Sequence, residues 1–285
     1  KRFNYTVSAS LGDNKTVITK YNNPEKLLTD YYEGMVLGEI WGYRIDGLFA
    51  SDEEATEYTS KINQDFVNAR ILSDKVEPYY RAGDLKFRDL DNNNVINKGD
   101  DTVYDPGDRE IIGNETPRYN YSFRLGADWN GFDLGVFFQG VGKRDWYPSH
   151  LSTGFWGPYA RAFTSFIPEN FMDQCWSEEN PGGYLPRFRG YQTFADSQLG
   201  VNNDRYLQDA SYIRLKNLTV GYTLPVLKKV FTKLRVYFTG ENLWYWSPMK
   251  KYTKYIDPEA AGGNGNTGMA YNYSRNFSVG VDITF

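Results

Sequence analysis

The sequence predicts an all-β fold of long antiparallel strands, as in a large transmembrane β-barrel with long, partly helical extracellular loops. Three observations predict it: apolar and polar residues alternate with period two, short and long connections alternate, and aromatic residues make up 17% of a chain whose mean hydropathy is only −0.62. The sequence has no apolar stretch near the ~18 residues that a membrane helix needs. Barrel strands cross a membrane by alternation at low mean hydropathy, so this composition is compatible with them.

The clearest alternation predicts a tight hairpin over residues 119–138. Asn130-Gly131 separates its two strands and is the strongest short hairpin signal. The segment FNYTVSASL near the N-terminus also reads as a strand. One face of the hairpin collects apolar side chains, namely Tyr119, Tyr121, Phe123, Leu125, Ala127, Trp129, Phe132, Leu134, Val136 and Phe138.

A second strand pair and a terminal strand follow the same pattern. Alternation over residues 218–224 and 234–238 flanks a turn from Pro225 to Lys233, and a third alternation runs over residues 277–285. Ile213 and Leu215 are out of phase with Leu218. We therefore predict a β-bulge near Lys216 and Asn217.

Three connections are far longer than ordinary β-turns. They cover roughly residues 49–117, 142–207 and 245–272. The first begins with a charged segment over residues 53–70 that is predicted to be helical, and the third contains the flexible tract GGNGNTG. In a transmembrane barrel, long loops face outward and short turns face the periplasm, so we expect these three connections to be external loops.

Composition excludes several function classes. The formal charge is −4 and the pI about 5.3, which argues against a nucleic-acid partner, since duplex binding needs a clustered basic face. His150 is the single histidine and Cys175 the single cysteine. Without a nucleophile motif, a catalytic triad has no basis in this chain, and we predict that it is not an enzyme.

Seven segments carry a resemblance to a known family. They are GEIWGYRIDGLF (38–49), GDLKFRDLDNNNVINKGDD (83–101), IIGNETPRYNYSF (111–123), FDLGVFFQGVGKRD (132–145), YIRLKNLTVGYTLP (212–225), LRVYFTGENLW (234–244) and DPE (257–259), joined by the terminal Phe285. Across essentially its whole length the chain resembles the C-terminal part of the barrel of SusC/RagA-type TonB-dependent outer-membrane transporters of Bacteroidetes.

The resemblance implies the C-terminal portion of a barrel of about 22 strands with a plugged lumen, of which this chain would supply about eight to ten. It also implies oligosaccharide import across the outer membrane of a Gram-negative bacterium, with a SusD-like surface lipoprotein as partner. The signal peptide, N-terminal domain, TonB box and plug are expected to be absent from this chain. Its partners would then be the plug and N-terminal barrel of the same transporter, outer-membrane lipid, and TonB acting indirectly through the plug. Peptide import by the same family is one alternative, and a secreted β-rich carbohydrate-binding protein is another.

An acidic segment has the ligand spacing of an EF-hand-like calcium loop. Oxygen ligands would come from Asp89, Asp91 and Asn93, from the backbone carbonyl of Val95, and from Asp100 at the twelfth position. Asn94 replaces the usual glycine, and Asp100 the usual bidentate glutamate. No cofactor is required by this interpretation, but a structural calcium ion is predicted. The alternative is an Asx-rich turn satisfied by its own backbone.

Aromatic and arginine side chains are concentrated in the second long connection. Sugar rings stack on aromatic faces, and arginine forks bind oxygen groups. The alternative is that these rings form the core of the connection or contact a partner lid. The predicted ligand-binding residues are Trp146, Tyr147, Trp156, Tyr159, Arg187 and Arg189. The terminal Phe285 resembles the aromatic residue that barrel-assembly machinery recognises, and it is predicted to be an assembly signal.

Overall fold

A six-stranded antiparallel sheet is the largest element of the fold. The computed structural model describes residues 2–68, 79–160, 167, 169–189, 197–225, 232–262, 267–268 and 270–285. In sheet order, the strands are β1 (Asn4–Gly12), β6 (Arg118–Trp129), β7 (Phe132–Lys143), β12 (Tyr212–Leu224), β13 (Lys233–Trp246) and β14 (Asn276–Thr284). Each neighbouring pair is antiparallel, so the prediction of an antiparallel β fold is confirmed.

The first predicted hairpin is present, and local chemistry explains its turn. Asn130 and Gly131 both adopt the left-handed region, with φ of 53° and 93°. A two-residue turn of this hand matches the right-handed twist of paired strands. The register then places Trp129 opposite Phe132 and Leu125 opposite Val136.

The predicted β-bulge in β12 is confirmed. Pairing passes from Leu215 to Asn217 on both sides of the strand, so Lys216 is left outside the ladder. The extra residue restores the phase, because Leu215 and Leu218 then face the same side of the sheet. The turn predicted between Pro225 and Lys233 falls largely on residues 226–231, which lie outside the described residues.

The described sheet has six strands, so the expectation of about eight to ten wall strands was wrong. The segment over residues 38–49 forms β2 (Glu39–Tyr43) and β3 (Ile45–Leu48), which pair with β5 (Arg109–Asn114) and β4 (Leu85–Phe87) away from the large sheet. Those four short strands belong to the connection between β1 and β6 and do not extend the wall.

The long connections fold together into a lobe. They run over residues 13–117, 144–211 and 247–275, so the first begins well before the predicted residue 49. The lobe contains helices α1 (Asp52–Lys61) and α2 (Thr153–Trp156). Its short strands are β2 to β5, β8 (Asp145–Trp146), β9 (Cys175–Trp176), β10 (Leu185–Arg187) and β11 (Gln208–Asp209), and its 3₁₀ turns are Phe66–Asn68, Gly157–Tyr159, Met172–Gln174 and Pro248–Lys251.

Helix α1 confirms the predicted helical segment, although it is shorter. Ser51 caps it by accepting a hydrogen bond from the Glu54 backbone N–H at 3.1 Å, and three acidic residues in the first turn complement the helix dipole. It ends at Lys61, and residues 69–70 of the predicted helix lie outside the described residues. No helix in the described part of the chain is both long and apolar enough to span a membrane.

Among the described residues, the hydrophobic core lies in the lobe and not under the sheet. The largest buried apolar side chains are Phe49, Leu85, Phe87, Ile96, Trp146, Trp156, Tyr159, Leu199, Tyr206 and Met249. All of them come from the three long connections, which therefore depend on one another for burial. The sheet is consequently a wall with little packed against its apolar face.

Candidate functional site

One face of the six-stranded sheet is apolar and exposed from edge to edge. The register aligns Leu134 between Ala127 and Val220, and it aligns Phe238 between Val220 and Val279. Val279 is 77% exposed. An uncovered apolar surface of this extent is unfavourable in water, and it suits contact with lipid. Its exposed aliphatic members are Val7, Leu11, Leu125, Leu134, Val220, Leu224, Val236, Val279, Val281 and Ile283.

Large aromatic rings mark both ends of this apolar face. Trp129 and Phe132 flank the Asn130-Gly131 turn, and the Phe132 ring contacts Tyr222 with centroids 4.5 Å apart. Trp244 and Trp246 lie at the opposite end, on the same face, and are about half exposed. Aromatic belts at two levels are typical of proteins that cross a bilayer, because these rings favour the membrane interface.

The opposite face of the sheet is polar. Arg235 on β13 is paired with Asp133 at 2.6 Å and with Asp282 at 3.0 Å, which links three strands near the short turns. Further along, Ser10 and Ser122 are hydrogen-bonded at 2.7 Å. A face of charges and hydroxyls behind an apolar face is the arrangement of a barrel wall with a wet lumen.

A buried ion network fastens the third connection to this polar face. The Arg214 guanidinium is 1% exposed and pairs with Asp257, which is also buried. Its Nε lies 3.1 Å from a carboxylate oxygen of Glu259, and Lys216 donates to both oxygens of Glu259 at 2.9 and 2.8 Å. Because Lys216 is the bulged residue, the bulge itself supplies one of the two cations. Both segments are recognisable in the sequence, but their contact is not predictable from it.

Four of the predicted ligand-binding residues are buried. The structure therefore does not support the prediction that they contact a ligand directly. Trp146, Trp156 and Tyr159 are at most 1% exposed, and Tyr147 is 7% exposed. Trp156 Nε1 donates to the Pro148 carbonyl at 3.1 Å, so even the polar edge of this ring is used internally. These residues form the core of the lobe, as the alternative interpretation stated.

The two predicted ligand-binding arginines are also engaged within the protein. Arg189 donates to both carboxylate oxygens of the buried Asp84, at 2.8 and 2.7 Å. Arg187 donates to the Ala82 carbonyl at 2.6 Å and stacks over Trp176 at 4.8 Å. Both side chains connect the second connection to the first. The structure therefore does not support the prediction that these arginines contact a ligand.

The acidic segment brings three carboxylates together, but not the predicted three. Carboxylate oxygens of Asp89, Asp91 and Asp108 lie within 4.8 Å of one another. Asp100 is outside this group, and its backbone N–H donates to the Asp105 carboxylate at 3.2 Å. The prediction that Asp100 belongs to this group is therefore wrong. Asp108 is the third carboxylate in its place.

A ten-residue segment that interrupts the acidic loop explains why the ligand spacing pointed to Asp100 and not to Asp108. Residues 98–107 leave the loop and return to it, and the Asp108 N–H donates to the Asn97 carbonyl at 3.1 Å. Gly99 and Gly107, with φ of 56° and 59°, lie in contact where this segment closes. The turn-forming sequence Asp105-Pro-Gly-Asp108 was the available signal that the loop is interrupted.

The donor set around Asp108 fits a hard divalent cation. Asp108 is buried, and burial raises the pKa of its carboxyl against the lowering effect of hydrogen bonds from the Asn97 and Leu90 backbone N–H groups, with smaller raising contributions from the charges of Asp91 and Asp89. The nearby cations Lys98 and Arg109 pair with Asp101 and not with this group. Asn93 and the Val95 carbonyl remain on the same loop and could add neutral oxygen ligands, as in calcium loops.

Comparison with known proteins agrees with this architecture. No family model matches the chain. TonB-dependent receptor P26 of Formosa agariphila is 28% identical over 217 residues, covering 72% of this chain and 20% of the relative. TonB-dependent receptor P3 of the same organism is 29% identical over 269 residues, covering 89% of this chain and 22% of the relative. The chain therefore spans less than a third of the length of these curated relatives.

Solved structures share the fold. The RagAB peptide importer in its open-open state matches with a TM-score of 0.61 at 20% identity, covering 99% of this chain and 27% of that one. The closed-closed state matches with a TM-score of 0.60 at 19% identity, covering 100% and 28%. The chain is thus similar in sequence to TonB-dependent receptors and shares the fold of the RagAB peptide importer, in agreement with the resemblance to SusC/RagA-type transporters predicted from the sequence.

Proposed function

We propose that the chain forms part of the wall and outer mouth of a TonB-dependent importer in the outer membrane of a Gram-negative bacterium. The observation that carries the proposal is the exposed apolar face, bounded by two aromatic belts and backed by a polar face. The names of the relatives, all TonB-dependent receptors, support it. The predicted external position of the three long connections is part of this proposal, because they all lie at one end of the sheet.

The two edges of the sheet support the proposal that this wall is completed by other strands. Among the described strands, β1 pairs only with β6 and β14 only with β13. Exposed edges of this length would promote aggregation unless they were paired. We propose that the N-terminal barrel strands of the same transporter pair with them, that the plug fills the lumen, and that TonB acts on the plug.

Oligosaccharide is the proposed solute, and a SusD-like surface lipoprotein the proposed partner. Peptide import is the second candidate, favoured by the fold shared with the RagAB peptide importer. Growth of a strain that lacks the complete transporter, on separate panels of glycans and peptides as carbon source, distinguishes them. Loss of growth on a glycan, restored by the wild-type gene, is the expected result. Loss on peptides alone would establish the second candidate, and normal growth on both would contradict import.

We also propose that calcium orders the loop around Asp89, Asp91 and Asp108. Calcium is expected to raise the thermal denaturation midpoint of the intact protein by several degrees, and chelator should reverse the effect, because the ion would neutralise three converging carboxylates. Asp108→Asn should abolish the shift, whereas Asp100→Asn should leave it intact. Equal responses of the two variants would contradict the role of Asp108, and absence of any calcium effect would end the proposal.

Phe285 is proposed to act as an assembly signal. It is 84% exposed and follows the last residue of β14. Deleting Phe285 is expected to reduce the amount of transporter in isolated outer membranes severalfold, measured by immunoblot against a barrel protein of unchanged sequence. Phe285→Tyr keeps a terminal aromatic ring and should preserve the amount. Unchanged abundance after the deletion would remove the assembly role.

A further inference from the structure

The third connection carries an excess of positive charge that its own carboxylates do not balance. Within residues 247–275 the only acidic residues are Asp257 and Glu259, and both are held by cations of the wall. The basic residues of the same stretch are Lys250, Lys251, Lys254 and Arg275. None of these four forms an ion pair within the described part of the chain, although the chain as a whole has a net charge of −4.

Lys250 lies at the mouth end of β13 on the polar side of the sheet, and Arg275 lies at the neighbouring start of β14. Lys250 Nζ donates to the Tyr245 carbonyl at 3.0 Å and lies 3.6 Å from the centre of its ring. The register places Tyr245 opposite Arg214, which is on the polar face. Arg275 immediately precedes β14, beside the same end of β13, where Asn242 Nδ2 donates to the Ser274 carbonyl at 3.3 Å.

Lys250 lies in a net positive environment, in which the charge of Asp257 only partly offsets the neighbouring cations. Burial, followed by the positive charges of Arg275 and Arg214, lowers the pKa of the Lys250 ammonium. Glu241, the nearest carboxylate along β13, instead accepts a hydrogen bond from Asn276 at 3.1 Å. An anion placed between Lys250 and Arg275 would relieve this repulsion, and the guanidinium fork of Arg275 suits a planar carboxylate.

Three tyrosines lie in the segments that carry these two cations. Tyr273 lies under Lys216, with the ammonium 4.4 Å from the ring centre, and Tyr271 is fully exposed two residues earlier. Tyr245 completes the set. Flat aromatic rings beside hydrogen-bonding cations provide a stacking surface for a sugar ring together with charged donors for its acid group.

We propose that Lys250 and Arg275, with the tyrosines beside them, form a subsite for the carboxylate group of an acidic oligosaccharide at the mouth of the lumen. The inference rests on the proposed function, since it assigns a substrate class to the same import pathway. It assigns ligand contact to cations of the third connection that form no ion pair among the described residues, whereas the buried rings and engaged arginines of the second connection hold the lobe together.

Calorimetry on the intact detergent-purified transporter tests the subsite with two matched probes, tetragalacturonate and neutral galactotetraose. The acidic probe should bind about tenfold more tightly at low salt, since hydrogen bonds to charged groups contribute more than neutral ones. The double variant Lys250→Gln/Arg275→Gln should lose that difference and keep its affinity for the neutral probe. The charge-conserving variant Lys250→Arg/Arg275→Lys should retain most of the preference.

Lys15→Gln/Lys20→Gln removes the same charge from exposed positions in the first connection, and it should retain the preference. Equal loss in this control would attribute the effect to net charge and overturn the subsite. Equal binding of both probes by the unmodified protein would overturn the subsite while leaving oligosaccharide import in place. If neither saccharide binds and the deletion strain loses growth only on peptides, the proposed function fails and the inference fails with it.

Discussion

Replacing Arg214 by alanine is expected to destabilise the protein by about 3–5 kcal/mol, the usual effect of removing one partner from a buried ion pair. Asp257 would be left buried with an uncompensated charge, since its side chain is 2% exposed. The third connection should then detach from the wall. The measurement is the denaturant midpoint of the intact transporter in vesicles, followed by tryptophan fluorescence.

Two further variants separate the ion pair from a general effect of losing an arginine. Arg124 lies on the same polar face but is exposed and stacks over Phe137 at 5.3 Å, so Arg124→Ala should cost no more than about 1 kcal/mol. The double variant Arg214→Met/Asp257→Leu should recover much of the lost stability, because apolar replacements of a buried pair are often tolerated. Similar losses for Arg214→Ala and Arg124→Ala would contradict the network.

Placing arginine on the apolar face of β12 is expected to be almost as harmful. Val220 lies between Leu134 and Phe238 and faces the proposed lipid side, where an arginine near the bilayer centre costs about 2–4 kcal/mol. The adjacent Thr219 points to the polar face, beside Gly135, whose added Cβ would have no neighbour within 4 Å. Thr219→Arg should therefore be tolerated.

Both substitutions are compared by the amount of folded, heat-modifiable transporter in isolated outer membranes. Val220→Arg should reduce this amount strongly, and Thr219→Arg should leave it close to the wild-type amount. The same loss for both variants would mean that β12 is buried on both sides, and no loss for either would mean that Val220 faces water.

The wall was predictable from the sequence because its signals are local. A period of two assigns side chains to faces without knowledge of partners, and Asn130-Gly131 specifies a turn within two residues. The phase slip around Lys216 likewise located the bulge. Strand number was not predictable in this way, because β2 and β5 have strand-like sequences but pair with each other in the lobe.

The lobe was less predictable because its contacts are long-range. Arg214 meets Asp257 across 43 residues, and Asp108 reaches Asp89 only because residues 98–107 leave the loop and return. Rings such as Trp156 give the same sequence signal whether they line a ligand site or fill a core. Burial alone distinguishes these cases, and burial depends on all three long connections at once.

Spin labelling along β12 tests the two-faced wall most directly. Single cysteines at positions 218–223 would be introduced in a Cys175→Ser background, since Cys175 is the single native cysteine and is buried. In the vesicle-embedded transporter, nitroxides at 218, 220 and 222 should collide with oxygen dissolved in lipid and be shielded from a water-soluble nickel complex. Labels at 219, 221 and 223 should be less accessible to oxygen. Nickel access at 218, 220 and 222, or accessibility without a period of two, would contradict a membrane wall.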